Sequence, residues 1–307
     1  MVQKGPRSSP WRILRWTPVA LLLLAAIGLA AMLVVGGMTR VLAWYWLQTL
    51  LPMLGLVVLL VVVVVLIVRR RFTKFIVITG LAALVSLVPA ISLFVPVAYP
   101  ASIHSTGPAA TVRLPADVPL QVIWGGDRVE VNYHVVVPDQ RWAYDLVVAP
   151  YFVASPELTD YGCYGVPVVA PAAGVVVKAH DGEPDMTPGV LSNNTAAPEG
   201  NVVAIRLETG TYLIIAHLKA GSVLVQVGDT VAEGQPIGQC GNSGHTSEPH
   251  IHIHHQRQDP TVYPLNFAEG LPLYFRDHDG PPMPEGGVRV EDGQPIATGA
   301  TVQHIGK

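Results

Sequence analysis

The residues best placed to do chemistry lie in Pro249-His250-Ile251-His252-Ile253-His254-His255. On a β-strand, side chains two positions apart point to one face. His250, His252 and His254 then share a face, while Ile251 and Ile253 turn into a core. A pair of imidazoles spaced this way can converge on one ion, or set one ring on a metal and the other beside its water. His252 belongs to both candidate pairs, 250/252 and 252/254, and is the first choice of metal ligand. A surface histidine tract is the competing explanation.

Two further signals are weaker alone. His217 closes the apolar run Tyr212-Leu213-Ile214-Ile215-Ala216-His217-Leu218, where packing explains a histidine as well as catalysis does. His134 and Asp145 are far apart along the chain, but a hairpin turning at Pro138-Asp139-Gln140-Arg141 sets 137 against 142 and 134 against 145. Directly opposed residues have Cβ atoms about 4.5–5.5 Å apart, within reach of one shared ion. A surface His–Asp pair is the alternative.

Positioning such groups takes strands. Alternating or β-branched runs occupy residues 121–124, 129–137, 142–148, 166–170, 174–179, 201–208, 212–218, 223–227 and 250–255, with Gly-, Asp- and Pro-containing breaks between them. No helical period is sustained after residue 110, so residues 111–280 are expected to form an all-β, sheet- or barrel-like domain. The tail, 281–307, contains possible short strands at 288–290 and 300–303.

The first hundred residues are different. Half the chain is hydrophobic and only 13% is charged, and the excess is concentrated in runs at 18–38, 50–68 and 75–97. Each holds about 20 residues, enough to cross a ~30 Å hydrocarbon core as a helix. A cleaved signal peptide accounts for the first run at most, and Gly36-Gly37-Met38 is a poor cleavage site. Lys4, Arg7, Arg12 and Arg15 precede the first run, and Arg69, Arg70, Arg71 and Lys74 separate the second from the third. The first connection holds only Arg40, with Trp44, Tyr45 and Trp46 suited to an interface. Positive charge stays cytoplasmic, so the expectation is a multi-pass protein of a bacterial cytoplasmic membrane. Its N-terminus would be inside and everything beyond Val97 outside. Residues 1–97 form this membrane module, and 98–110, rich in Pro, Ala and Ser, read as a linker. A net charge of −3, with no dense basic cluster beyond Lys74, gives no reason to expect a nucleic-acid partner.

The order and spacing of several blocks resemble the lysostaphin/LytM-type zinc metallopeptidases. The blocks are Tyr164-Gly165-Val166-Pro167 through Gly174, Gly200-Asn201-Val202-Val203, Ala216-His217-Leu218, Val227-Gly228-Asp229 through Gly238, Gly241-Asn242-Ser243-Gly244 and Pro249-His250-Ile251-His252. The resemblance covers about residues 120–256. It implies a β-sheet groove domain with one zinc ion, acting on the peptide part of peptidoglycan. By the same resemblance His252 and Asp145 bind the metal, His250 is the general base, and His217 stabilises the oxyanion. One position departs from the pattern. The usual first ligand, four residues before the Asp, is Arg141 here, and a guanidinium stays protonated and binds no metal. His134 is the replacement, on the hairpin argument and on likeness to a subgroup with elements like Asn132-Tyr133-His134 and Gln140-Arg141-Trp142-Ala143-Tyr144-Asp145.

Two rival readings remain. One is a catalytically inactive module of the same fold that regulates another cell-wall hydrolase, against which the retained histidines argue. The other is a carrier or phosphotransfer domain, which the stretch 227–238 also resembles. The outside placement and the lack of a Lys at a hairpin tip disfavour it. Cys163 and Cys240 are the only cysteines, and an oxidising exterior favours a disulfide between them over free thiols or metal ligation.

Overall fold

The computed structural model describes residues 15–306 and divides into two compact units, Met1–Pro96 and Val97–Lys307. Lys4, Arg7 and Arg12, on which the orientation partly rests, lie outside the described residues. In the first unit, α1 (Thr17–Val35), α2 (Gly37–Gln48), α3 (Leu50–Arg69) and α4 (Lys74–Leu87) follow one another, and a 3-10 turn over Val88–Leu93 continues α4. Among the described residues, Thr17–Val35, Gly37–Arg69 and Lys74–Leu93 are long and apolar enough to cross a membrane.

The ends of these stretches follow local chemistry. Gly36 takes φ +83° and stops α1, three residues short of the expected limit at 38. The expected loop after the first run is instead the helix α2, because no Gly or Pro interrupts residues 38–49. Trp44 is buried and Trp46 exposed. The Thr73 side chain accepts from the N–H of Ile76 and so caps α4, whose far end tightens to 3-10 geometry where Pro89 enters.

The second unit is built on an eight-stranded antiparallel sheet. Its strands are β1 (Leu120–Trp124), β2 (Tyr144–Val147), β3 (Gly174–His180), β4 (Asn201–Arg206), β5 (Tyr212–Leu218), β6 (Thr230–Val231), β7 (Ile251–Gln256) and β8 (Thr301–Val302). Their order across the sheet is β8-β1-β2-β7-β5-β4-β3-β6. One face carries the core, including Val122, Leu146, Ile205, Ile215, Ile251 and Ile253, all essentially without exposure. Burying an aliphatic side chain of this kind stabilises the fold by roughly 1.5–3 kcal/mol. Short pairings cover that face: Ala110–Val112 lies parallel to Leu273–Phe275, and Pro167–Val169 antiparallel to Pro236–Gln239.

The structure departs from the expected layout in several places. Residues 129–137 are a turn followed by a 3-10 helix over Tyr133–Val136, and 223–227 form no strand. The expected linker is packed into the domain: Tyr99 is buried, its N–H donates to Val135 O, and Ala110 pairs with Leu273. The tail is likewise part of the domain, because Val302 pairs with Leu120 at the sheet edge and is fully buried.

Cys163 and Cys240 form a disulfide, with Cα atoms 5.8 Å apart across a separation of 77 residues. It ties the loop before Pro167–Val169 to the segment leading into β7. Replacing both cysteines with Ala is expected to lower the unfolding free energy by about 2–4 kcal/mol. Denaturant titration of the oxidised protein and the variant measures this, and a loss below about 1 kcal/mol would show that the bridge constrains little.

Candidate metal centre

Sheet register brings the central pair together. On β7, His252 lies opposite Asp145 of β2 on one side and Ala216 of β5 on the other. Strand alternation sends Tyr144, Leu146, Ile251 and Ile253 to the core, leaving Asp145, His252 and His254 on the opposite face. His252 Nδ1 is 2.8 Å from Asp145 Oδ1. His250 Nε2, from the residue just before β7, is 3.5 Å from the same oxygen. His134 Nε2 is 3.4 Å from Asp145 Oδ2.

His217 reaches this face through a break in its strand. Regular alternation along β5 would send Leu213, Ile215 and His217 together to the core. A register shift between Asn201 and Val203 and a left-handed backbone at His217, φ +60°, reverse the pattern. Leu218 then enters the core, and the His217 ring lies 4.7 Å from that of His250 and 5.7 Å from that of His252. Bulges commonly re-aim a side chain beside a functional site in this way. The conformation costs of order 1–3 kcal/mol at a non-glycine residue. Neighbouring contacts hold it: His217 N–H donates to Glu199 O, and buried Asn201 donates to Leu218 O. Gly200 at φ +60° lets the Ser243 backbone approach, since a Cβ there would lie 2.4 Å from Ser243 C and O.

His134 arrives by a different route from the expected hairpin. It sits in the 3-10 turn, and no strand of residues 129–137 pairs with β2, whose edges are taken by β1 and β7. Asn132 builds the turn. Its side-chain amide donates to Gly126 O and Ala143 O, and its Oδ1 accepts from the backbone N–H of His134. These bonds hold the turn in place. The juxtaposition of His134 with Asp145 holds, while the geometry inferred for it does not.

Hydrogen-bond partners decide which nitrogen of a neutral imidazole carries the proton. His217 Nδ1 is 2.8 Å from Ser243 O, and His250 Nδ1 is 2.8 Å from Glu248 O. His134 Nδ1 is 3.0 Å from Asn132 Oδ1, an oxygen whose own amide group is already donating elsewhere. All three partners only accept, so each Nδ1 carries the proton. Each Nε2 therefore presents a lone pair; those of His134 and His250 are the atoms that face Asp145. One atom each from His134, Asp145 and His252 lie within 4.8 Å of one another, as do atoms from His217, His250 and His252.

Electrostatics favour the same state. Burial pushes His134 down to about 3 against the attraction of Asp145, and burial together with His250 and His252 drives His217 far below its ordinary value. Burial opposes ionisation of Asp145; positive charge among His134, His250 and His252 would outweigh it and hold the carboxyl below the usual range, and with the rings neutral that charge is left for a cation to supply. Tyr133 donates its hydroxyl to Asp145 Oδ2 at 3.3 Å and stacks on His134 at 4.0 Å. A buried carboxylate ringed by lone pairs suits a cation, and two imidazoles with one carboxylate form a donor set typical of zinc.

Residues 158–264, a little over a third of the chain, match the family model described as peptidase family M23. Over those residues the β-rich unit matches an M23 peptidase domain. Among solved structures, the domain is similar to the M23 protein EnpA of Enterococcus faecalis, at 17% identity over 42% of this chain and 73% of that one, with a TM-score of 0.30. Lysostaphin of Staphylococcus simulans aligns at 24% identity over 39% of this chain and 42% of its own, with a TM-score of 0.26. A zinc-containing peptidase of Vibrio cholerae aligns at 24% identity over 47% and 36%, with a TM-score of 0.30. The chain thus spans less than half the length of the last two.

Arg141, which precedes the matched residues, is committed to partners other than Asp145 and the histidines. It is buried, donating from Nε to Tyr99 O at 3.0 Å and from Nη2 to Asp127 Oδ1 at 2.8 Å. A groove of about 410 Å³ runs over the centre, with Tyr133, His217, His245 and Asn266 among its walls. Sequence patterns gave no role to His245, or to Asn132, Asn201 and Ser243, whose contribution is to orient other residues. An Asn inside a strand-like run is the one signal in the sequence that sets Asn132 apart from its neighbours.

Asp139 fastens one wall, accepting from the N–H of Asn266 at 2.8 Å. Burial pushes its carboxyl up to about 6, against that hydrogen bond. Between the ordinary carboxylate value and 6 the folded state holds more protons than the unfolded one, so this group costs stability as pH rises through the window. Asp139→Asn is expected to remove that loss. The variant should gain about 1–3 kcal/mol over the native protein at pH 7.5 and little at pH 4. Unfolding titrations at the two pH values measure the gain, and a pH-independent difference would contradict the assignment.

Proposed function

We propose that this protein is a membrane-anchored zinc endopeptidase acting outside the cytoplasm on the peptides of peptidoglycan. The supporting observation is the ring of imidazole lone pairs around buried Asp145. His134, Asp145 and His252 would hold one Zn²⁺, with a position left for water or substrate as in catalytic rather than structural zinc sites. When bound, the ion acidifies water toward neutral pH and polarises the scissile carbonyl.

The chain's own groups supply the proton chemistry. His250, oriented by Glu248 O, presents a bare Nε2 that accepts the proton of the attacking water and later delivers it to the leaving amine. His217 was expected to stabilise the oxyanion, but in its resting tautomer Nε2 has no proton to donate. It would acquire one only by receiving the water's proton by way of His250, whose ring is adjacent, and would return it for delivery to the leaving amine after supporting the tetrahedral oxygen. Proton acceptance and oxyanion support are then successive states of the His217–His250 pair, whose rings are 4.7 Å apart.

Three apolar stretches precede the domain, and Arg69, Arg70, Arg71 and Lys74 lie between the second and third. Keeping those charges in the cytoplasm sends the M23 domain to the side where the cell wall lies.

His134→Ala and His252→Ala are expected to lose most of the bound zinc, measured by elemental analysis, together with turnover of cross-linked muropeptides. His217→Ala should retain zinc while turnover falls by roughly 10²–10⁴-fold. His217→Gln, which has an N–H without needing a proton, should recover part of that loss if donation matters more than acceptance. A native protein without zinc, or full turnover in His217→Ala, would end this reading.

A further inference from the structure

β7 continues past its metal ligand with two more polar residues on the same face, and they form a chain of hydrogen bonds. His252 Nε2 is 2.9 Å from His254 Nδ1, and His254 Nε2 is 3.1 Å from Gln256 Oε1. The side-chain amide of Gln256 donates to the backbone carbonyl of Gln258 at 2.7 Å. His254 is 2% exposed and Gln256 5%. Opposite His254 lies Ile214, within an apolar cluster of Val202, Ala204 and Ala216. Buried polar atoms in such surroundings are satisfied by the chain itself.

The direction of this chain is forced from its far end. A backbone carbonyl can only accept, so Gln256 presents its amide nitrogen to Gln258 and its oxygen to His254. His254 Nε2 must then carry the proton, which makes Nδ1 the acceptor of a neutral ring. His252 Nε2 therefore donates, and the lone pair of that ring is left on Nδ1, the atom 2.8 Å from Asp145 Oδ1. The other three rings are fixed by single carbonyl-type acceptors beside them. His252 alone has its outer nitrogen satisfied by another imidazole, which could in isolation accept or donate.

We infer that His254, locked by Gln256, is a positioning residue that sets the tautomer of His252 and thereby its competence as a metal ligand. This rests on the zinc reading of the preceding section and extends it to His254, which also lines the groove, and to Gln256 behind it. Outer partners of this type commonly account for 10–100-fold in metal affinity. The strand supplies the register without cost, because residues 252, 254 and 256 already share one face.

The test is Zn²⁺ affinity of the full-length, detergent-solubilised protein, by competition with a chromogenic chelator. His254→Leu fills the space but accepts no hydrogen bond, and is expected to weaken Zn²⁺ binding by roughly 10–100-fold. His254→Gln restores an acceptor and should bind within a few-fold of the native protein. Circular dichroism and the absence of free thiols report folding of each variant. Should His254→Leu fail to fold, Gln256→Leu, which frees His254 to adopt either tautomer, carries the same expectation at a smaller size. Equal affinity for the Leu variants and the native protein would overturn the inference while leaving the zinc site standing. A native protein that binds no Zn²⁺ would instead overturn the zinc reading, and this inference with it.

Discussion

A buried carboxylate facing unprotonated nitrogens is the constraint that organises this domain. Asp145 lies on a central strand and is nearly fully buried, with two acceptor atoms, its Oδ1 and His252 Nδ1, only 2.8 Å apart. Isolated in a low-dielectric interior, an ionised carboxylate is expensive, and lone pairs pointed at it add repulsion. A cation between them turns that repulsion into coordination. The rest of the site can be understood as the means of keeping those lone pairs inward. Each ring spends its single proton on an outward acceptor: Ser243 O, Glu248 O, Asn132 Oδ1 and His254 Nδ1. Leaving one such buried group unpaired would cost roughly 1–3 kcal/mol, so these outer contacts also stabilise the fold.

What the sequence revealed of this arrangement depended on whether regular geometry carried it. His250, His252 and the strand beneath them were legible because alternation along β7 is undisturbed, with Ile251 and Ile253 in the core as expected. The family resemblance pointed to Asp145 and His217, but for His217 the period-two pattern pointed the wrong way. A bulge and a left-handed residue reverse it, and those depend on Asn201, Gly200 and the approaching Ser243 backbone, all non-local. His134 was found through a hairpin that does not exist. The run around it is β-branched and strand-like, yet bonds from the Asn132 side chain hold it in a turn. The outcome survived because the two chain segments must converge either way.

The apolar helices show the same division between composition and detail. Their number and approximate place follow from hydropathy, which needs only the thickness of a hydrocarbon core. Their ends follow from single residues. Gly36 stops one helix, Thr73 starts another, and the stretch 38–49 stays helical because nothing in it breaks a helix. Likewise, a Pro- and Ala-rich composition at 98–110 suggested a linker, and it is compatible with extended chain that packs. Tyr99 supplies the anchor that composition averages away.

That anchor bears on the one departure from the expected ligand pattern. Arg141 occupies the position where a histidine would stand, but its guanidinium is committed elsewhere, to Tyr99 O and Asp127. Tyr99 N–H in turn holds Val135 O, next to His134. The first residues of the domain, the arginine and the turn carrying His134 are therefore one hydrogen-bonded assembly. The arginine clamps the chain entry to the 127–142 region, and the same contact steadies the turn that brings His134 to Asp145. On this account the arginine at 141 and the histidine at 134 belong to one structural arrangement. A histidine placed at 141 would give up the clamp on Tyr99 and Asp127.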